Sequence, residues 1–192
     1  MRLNLPLWLT MGRVAAIPVV LALFYVPWEH ARQAATVLYA AACITDWFDG
    51  WLARRWNQTS KFGAFLDPVA DKLLVAVCLV LLLRDHITEH EGPGGVLAVL
   101  VAIIIGREIT VSALREWMAE LGQRTSVAVS WIGKLKTVSQ MFAIGFMIWQ
   151  RETWGLHIYW IGFGLLFVAG VLTVWSMVMY LRAAWPLMRS HG

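Results

Sequence analysis

Four aspartates, Asp46, Asp49, Asp67 and Asp71, sit inside stretches otherwise apolar enough for a lipid bilayer, and nothing else in the chain restricts its fold as much. A carboxylate at the centre of a bilayer costs roughly 2.5–3.5 kcal/mol on insertion scales, and neighbouring carboxylates repel one another. The chain must therefore turn all four toward a shared polar recess. Helical spacing allows this: at about 100° per residue, Asp46, Asp49, Gly50 and Ala53 form one stripe, with Trp47, Phe48, Trp51 and Leu52 on the opposite flank. After a short polar turn, Gly63, Asp67 and Asp71 recur at i, i+4 and i+8. Carboxylates with no His or Cys interleaved suit a hard cation such as Mg²⁺ or Mn²⁺ rather than Zn²⁺. Four of them can hold two ions about 4 Å apart, an arrangement that clamps phosphate.

The rest of the sequence matches that setting. Of 192 residues, 59% are hydrophobic and only 15% charged, against about 25% charged in ordinary soluble domains. This composition predicts an integral membrane protein. The net charge of +4 is modest, and no basic-aromatic pattern points to nucleic acid. Cys43 and Cys78 lie in apolar runs and read as packing residues rather than a disulfide. The N-terminus has a basic start, but Arg13 interrupts its apolar run and no small-x-small cleavage site follows, so it reads as retained.

The hydropathy pattern predicts an all-α protein with six transmembrane helices over residues 9–26, 34–56, 63–83, 96–121, 135–149 and 158–181, after a short interfacial segment at 2–9. Residues 84–95 read as a charged Gly-Pro loop, and the polar second half of the fourth helix as emerging from the bilayer. Pro68 leaves two readings, the first residue of a helix capped by Asp67 or a kink in a helix starting near Ser60. Six spans put both termini on one side. Giving that side to the cytoplasm collects Arg2, Arg13, Arg54, Arg55, Lys61, Arg107, Arg115, Arg124, Lys134, Lys136, Arg182 and Arg189 there, as the positive-inside rule requires. The acid recess then opens to the cytoplasm. With no internal repeat and no room for a soluble domain, one membrane domain over 1–192 accounts for the chain.

The spacing D-x2-D-G-x2-A-R-x8-G-x3-D-x3-D, filled by Asp46, Asp49, Gly50, Ala53, Arg54, Gly63, Asp67 and Asp71, resembles the signature of the CDP-alcohol phosphatidyltransferases, with no position missing. The likeness extends through NLPLWLTMGRV, REITVSALREWMAELGQRTSVAVSWIGKLKT and VLTVWSMVMYL to the glycerol-phosphate-using members of that family, and so over nearly the whole length. It implies transfer of the phosphatidyl group from CDP-diacylglycerol to sn-glycerol 3-phosphate, giving CMP and phosphatidylglycerophosphate for phosphatidylglycerol and cardiolipin synthesis. It further implies Asp46, Asp49, Asp67 and Asp71 as ligands of two Mg²⁺ or Mn²⁺ ions, with Asp71 also the catalytic base. Gly50, Ala53, Arg54, Gly63 and Thr45 would then bind CDP-diacylglycerol, and Asn4, Thr10 and Arg13 would approach the nucleotide. A bacterial inner-membrane location and a homodimer follow by the same analogy.

Several of these residues keep plainer readings. Gly50 and Ala53 also serve close helix packing, and Arg54 and Arg13 also serve as topology anchors. Arg107, Arg115, Lys134 and Lys136 form either a basic rim for anionic lipids or a cradle for the phosphate of the acceptor. An uncharged alcohol would not need that cradle; inositol phosphate is the alternative acceptor. Intramembrane acids also mark cation transporters, which place them along a through-path rather than toward one end. A purely structural membrane protein gives no reason for so many buried charges.

Overall fold

The computed structural model describes residues 5–56, 61–89, 94–120, 131–152 and 155–191. Among them are six helices and no strand: α1 (Leu5–Leu23), α2 (Ala31–Trp56), α3 (Lys61–Glu89), α4 (Gly94–Glu120), α5 (Trp131–Trp149) and α6 (Ile158–His191). Two, Gly94–Glu120 and the Ile158–Arg182 part of α6, are long and apolar enough to cross a membrane. α2 and α3 are longer than α1 and α5, but they contain the acids.

Several helix ends differ from the sequence reading. No separate interfacial segment precedes the first helix among the described residues, since α1 is already helical at Leu5 and continues through Leu9. Residues 84–89, expected in a loop, are the last turns of α3, because Asp85 and His86 find buried partners there instead of solvent. Pro68 lies inside α3, which starts at Lys61, so the helix begins near Ser60 as in the second reading and Pro68 is not its first residue. Proline supplies no N–H to the carbonyl one turn back. α6 continues past Leu181 to His191.

One core links all six helices, with Val20 of α1, Tyr39 of α2, Leu74, Leu79 and Leu82 of α3, Ile104 of α4, Ile144 and Met147 of α5 and Leu166 of α6 almost wholly buried. α6 closes the bundle by packing along α5 and against α4. Two glycines permit that approach: a Cβ on Gly162 would lie 2.8 Å from the Ala143 carbonyl oxygen of α5, and one on Gly170 would lie 2.5 Å from Leu100 Cδ2 of α4. The outward faces of these helices are apolar too, with Val99, Ile109, Phe142, Phe167, Val171 and Trp175 exposed, more than an aqueous surface normally presents. α2 and α3 touch each other only slightly, and polar side chains occupy the gap at each end.

Candidate active site

The C-terminal half of α2 and the N-terminal half of α3 bring Asp46 and Asp71 to one cavity of about 100 Å³. α4 adds Glu108 to its wall, α5 adds Lys136 and Gln140, and Lys72 of α3 completes the charged lining. Acids and bases thus alternate around one small space. Two carboxylates placed there without a counter-charge would repel each other and be poorly solvated.

Part of the compensation comes from α1. Arg13 is almost fully buried, and its Nη1 stands 2.6 Å from Asp46 Oδ1. Thr10, nearly one turn earlier, is equally buried. The structure therefore places Arg13 on a site aspartate rather than on the surface as a topology anchor. Lys72 Nζ donates to Ser112 Oγ, which in turn donates to the Glu108 carbonyl oxygen, so α3 is tied to α4 beside the cavity.

Glu108 is the residue that sequence reasoning missed. Its Oε1 accepts from Lys136 Nζ at 2.5 Å and from Arg107 Nη1 at 3.0 Å, joining two of the anticipated acceptor-binding cations across α4 and α5. Arg107 also reaches Ser176 Oγ at 3.5 Å. Arg107 and Arg115 converge on Tyr180 of α6, with their guanidinium carbons 5.7 Å and 5.2 Å from its ring centroid. Arg115 Nη2 donates to the Tyr180 hydroxyl. Arg107 and Lys136 are buried, away from any solvent-facing rim, whereas Arg115 is exposed. An acid at position 108, beside an anticipated arginine in a long apolar helix, was the available signal; its partner on α5 was not visible along the chain.

The remaining anticipated residues divide plainly. Gly63 is buried on α3, and Thr45 turns its hydroxyl back to the Ala41 carbonyl oxygen at 2.6 Å. The side-chain placements of Asp49, Gly50, Ala53, Arg54, Asp67 and Lys134, and the whole of Asn4, lie outside the described residues. Among the described residues no three acids, histidines or cysteines gather closely enough to form a metal site. Asp46 and Asp71 nevertheless supply two carboxylates to one cavity, a donor chemistry that suits a hard divalent ion. Both cysteines are free thiols; Cys78 is buried and Cys43 partly so.

A family model described as CDP-alcohol phosphatidyltransferase matches residues 3–181. Curated relatives from Salmonella choleraesuis (strain SC-B67), Shigella flexneri serotype 5b (strain 8401) and Escherichia coli (strain K12) are each 52% identical over 184 residues, covering 96% of this chain and 96% of the relative. Each of the three bears the name CDP-diacylglycerol--glycerol-3-phosphate 3-phosphatidyltransferase.

Proposed function

As a member of the CDP-alcohol phosphatidyltransferase family, this chain transfers the phosphatidyl group of CDP-diacylglycerol to sn-glycerol 3-phosphate with release of CMP, and we propose that it does so in the cavity shared by Asp46 and Asp71. The observation behind this assignment is the convergence on one small space of carboxylates from α2, α3 and α4 with Lys72 of α3 and Lys136 of α5, the latter joined through Glu108 to Arg107 of α4. The reaction needs both: acids at the diphosphate through divalent ions, and positive charge for an acceptor that bears its own phosphate.

In this reading Asp46 and Asp71, with Asp49 and Asp67 on the same helices, would hold two divalent ions, Mg²⁺ or Mn²⁺. Such ions would neutralise charge developing on the diphosphate. Asp71 accepts the proton of the primary hydroxyl of glycerol 3-phosphate. That oxygen forms a bond to the lipid-linked β-phosphorus, the bond from this phosphorus to the bridging oxygen breaks, and CMP departs with the electron pair. Lys136, Arg107 and Arg115, joined by Lys134, orient the acceptor through its phosphate, while Arg54, Gly50, Ala53, Gly63 and Thr45 receive the CDP moiety. Arg13 meets the site from α1 through Asp46, with Thr10 and Asn4 earlier in the chain.

The apolar exterior supports six membrane spans forming one domain over 1–192. The excess of Lys and Arg at the acid end supports a cavity open to the cytoplasm of a bacterial inner membrane. A homodimer belongs to the same proposal by family analogy. The rival cation pathway fits poorly, because beyond the acids the bundle is filled by Leu74, Cys78, Leu79 and Leu82.

Purified protein given CDP-diacylglycerol and glycerol 3-phosphate should release CMP only when Mg²⁺ or Mn²⁺ is also present. CMP formed equally well without glycerol 3-phosphate, or preferentially with inositol phosphate, would overturn the acceptor assignment. CMP formed at full rate in a chelator would overturn the metal assignment.

A further inference from the structure

Glu108 does more than its two cations require. Lys136 Nζ and Arg107 Nη1 both bind the same oxygen, Oε1, and no contact among the described residues engages Oε2. The side chain is partly exposed and lines the cavity that holds Asp46 and Asp71. An acid held among cations meant for a phosphate is costly if neutralisation is its only effect, since it competes with the ligand for the same donors. Its remaining lone pairs must accept from something.

Resting on the acceptor reading above, we propose that Glu108 determines specificity for a vicinal hydroxyl on the acceptor, accepting through Oε2 a hydrogen bond from the secondary hydroxyl at C2 of glycerol 3-phosphate. The ligand has three polar points in a row. Its C1 hydroxyl belongs at Asp71 and its C3 phosphate at Lys136 and Arg107, so its C2 hydroxyl falls between them. Glu108 lines the same cavity as Asp71 and is fixed to the phosphate-binding cations by one oxygen, which leaves the other for a ligand. Because a carboxylate repels phosphate, only the uncharged middle of the acceptor can lie against it. Being an acceptor only, it selects a hydroxyl over a hydrogen at C2.

The test compares two acceptors that differ only there, glycerol 3-phosphate and propane-1,3-diol monophosphate, by CMP release from CDP-diacylglycerol. A hydrogen bond to a charged acceptor predicts a wild-type preference in kcat/KM on the order of thirtyfold for glycerol 3-phosphate. Glu108→Ala should reduce that ratio to within about threefold of unity, and Glu108→Gln, which keeps a neutral acceptor, should leave an intermediate ratio. Because the ratio is taken on one preparation, misfolded protein cancels from it. If Glu108→Ala is inactive with both acceptors, Glu108→Gln decides. A ratio unchanged from wild type in any active variant, or a wild type that uses both acceptors equally, overturns the inference and leaves the transfer reaction standing. A wild type that releases CMP with neither acceptor overturns the acceptor reading itself.

Discussion

α2 and α3 hold a polar cluster at each end, and the two are built to opposite specifications. At one end Asp46 and Asp71 share an open cavity with Lys72, Glu108 and Lys136. Roughly 21 Å away along the same helices, at 1.5 Å per residue, Arg32 Nη2 pairs with the buried Asp85 Oδ2 at 2.6 Å. There Arg32 also lies over Phe24 at 4.1 Å and Arg84 over Tyr25 at 4.5 Å. His86, next to Asp85, shares a 2.7 Å hydrogen bond with the Tyr159 hydroxyl and stacks on Phe163. The far cluster pairs Arg32 with Asp85 against aromatic walls. The near cluster keeps carboxylate oxygens facing a space that a ligand can enter. Buried charge alone does not mark a site; buried charge beside an unfilled cavity does.

The comparison breaks most decisively at Asp71. Asp71→Asn keeps the shape of the side chain while weakening its basicity and its grip on a cation, so CMP release should fall by about a thousandfold. The thermal midpoint should hold, since this side chain faces the cavity rather than the core. A folded Asp71→Asn protein within tenfold of wild-type activity would show that the near cluster is structural, like the far one.

The converse substitution is Asp85→Ala. It leaves Arg32 mostly buried without its carboxylate, and breaking a buried pair from one side costs about 3 kcal/mol. Denaturation of the detergent-solubilised protein should register that loss, while kcat and both KM values of the surviving folded protein stay at wild type. Lost turnover at unchanged stability would show that the far cluster takes part in the reaction.

The difference between the two ends also explains what the sequence could reveal. The meeting of Asp46 and Asp71 at one cavity was legible, because helical periodicity puts each on an acidic stripe against an apolar background. Asp85 and His86 were misplaced in a loop because charge after an apolar run usually means a helix end. Their burial depends on Arg32 and Tyr159, partners on other helices that local patterning does not expose. Glu108 escaped for the same reason, since its role becomes visible only when α5 brings Lys136 to it. Periodicity shows which face a residue occupies; it does not show what another helix sets opposite.

The smallest effect sharpens the contrast, using the same atom deletion at both ends. Tyr180→Phe removes the hydroxyl that receives Arg115 Nη2. Arg115 is exposed, so solvent replaces the lost partner and stability should change little. The guanidinium loses its orientation, and the KM for glycerol 3-phosphate should rise about threefold with kcat and the KM for CDP-diacylglycerol unchanged, in keeping with one modest hydrogen bond. Tyr159→Phe instead strips a buried hydrogen bond from His86, which should lower stability by about 1 kcal/mol and leave the kinetics alone. Were Tyr180→Phe to cost stability with KM unmoved, Arg115 would be a clamp rather than an acceptor ligand, and the phosphate cradle would shrink to Lys136, Arg107 and Lys134.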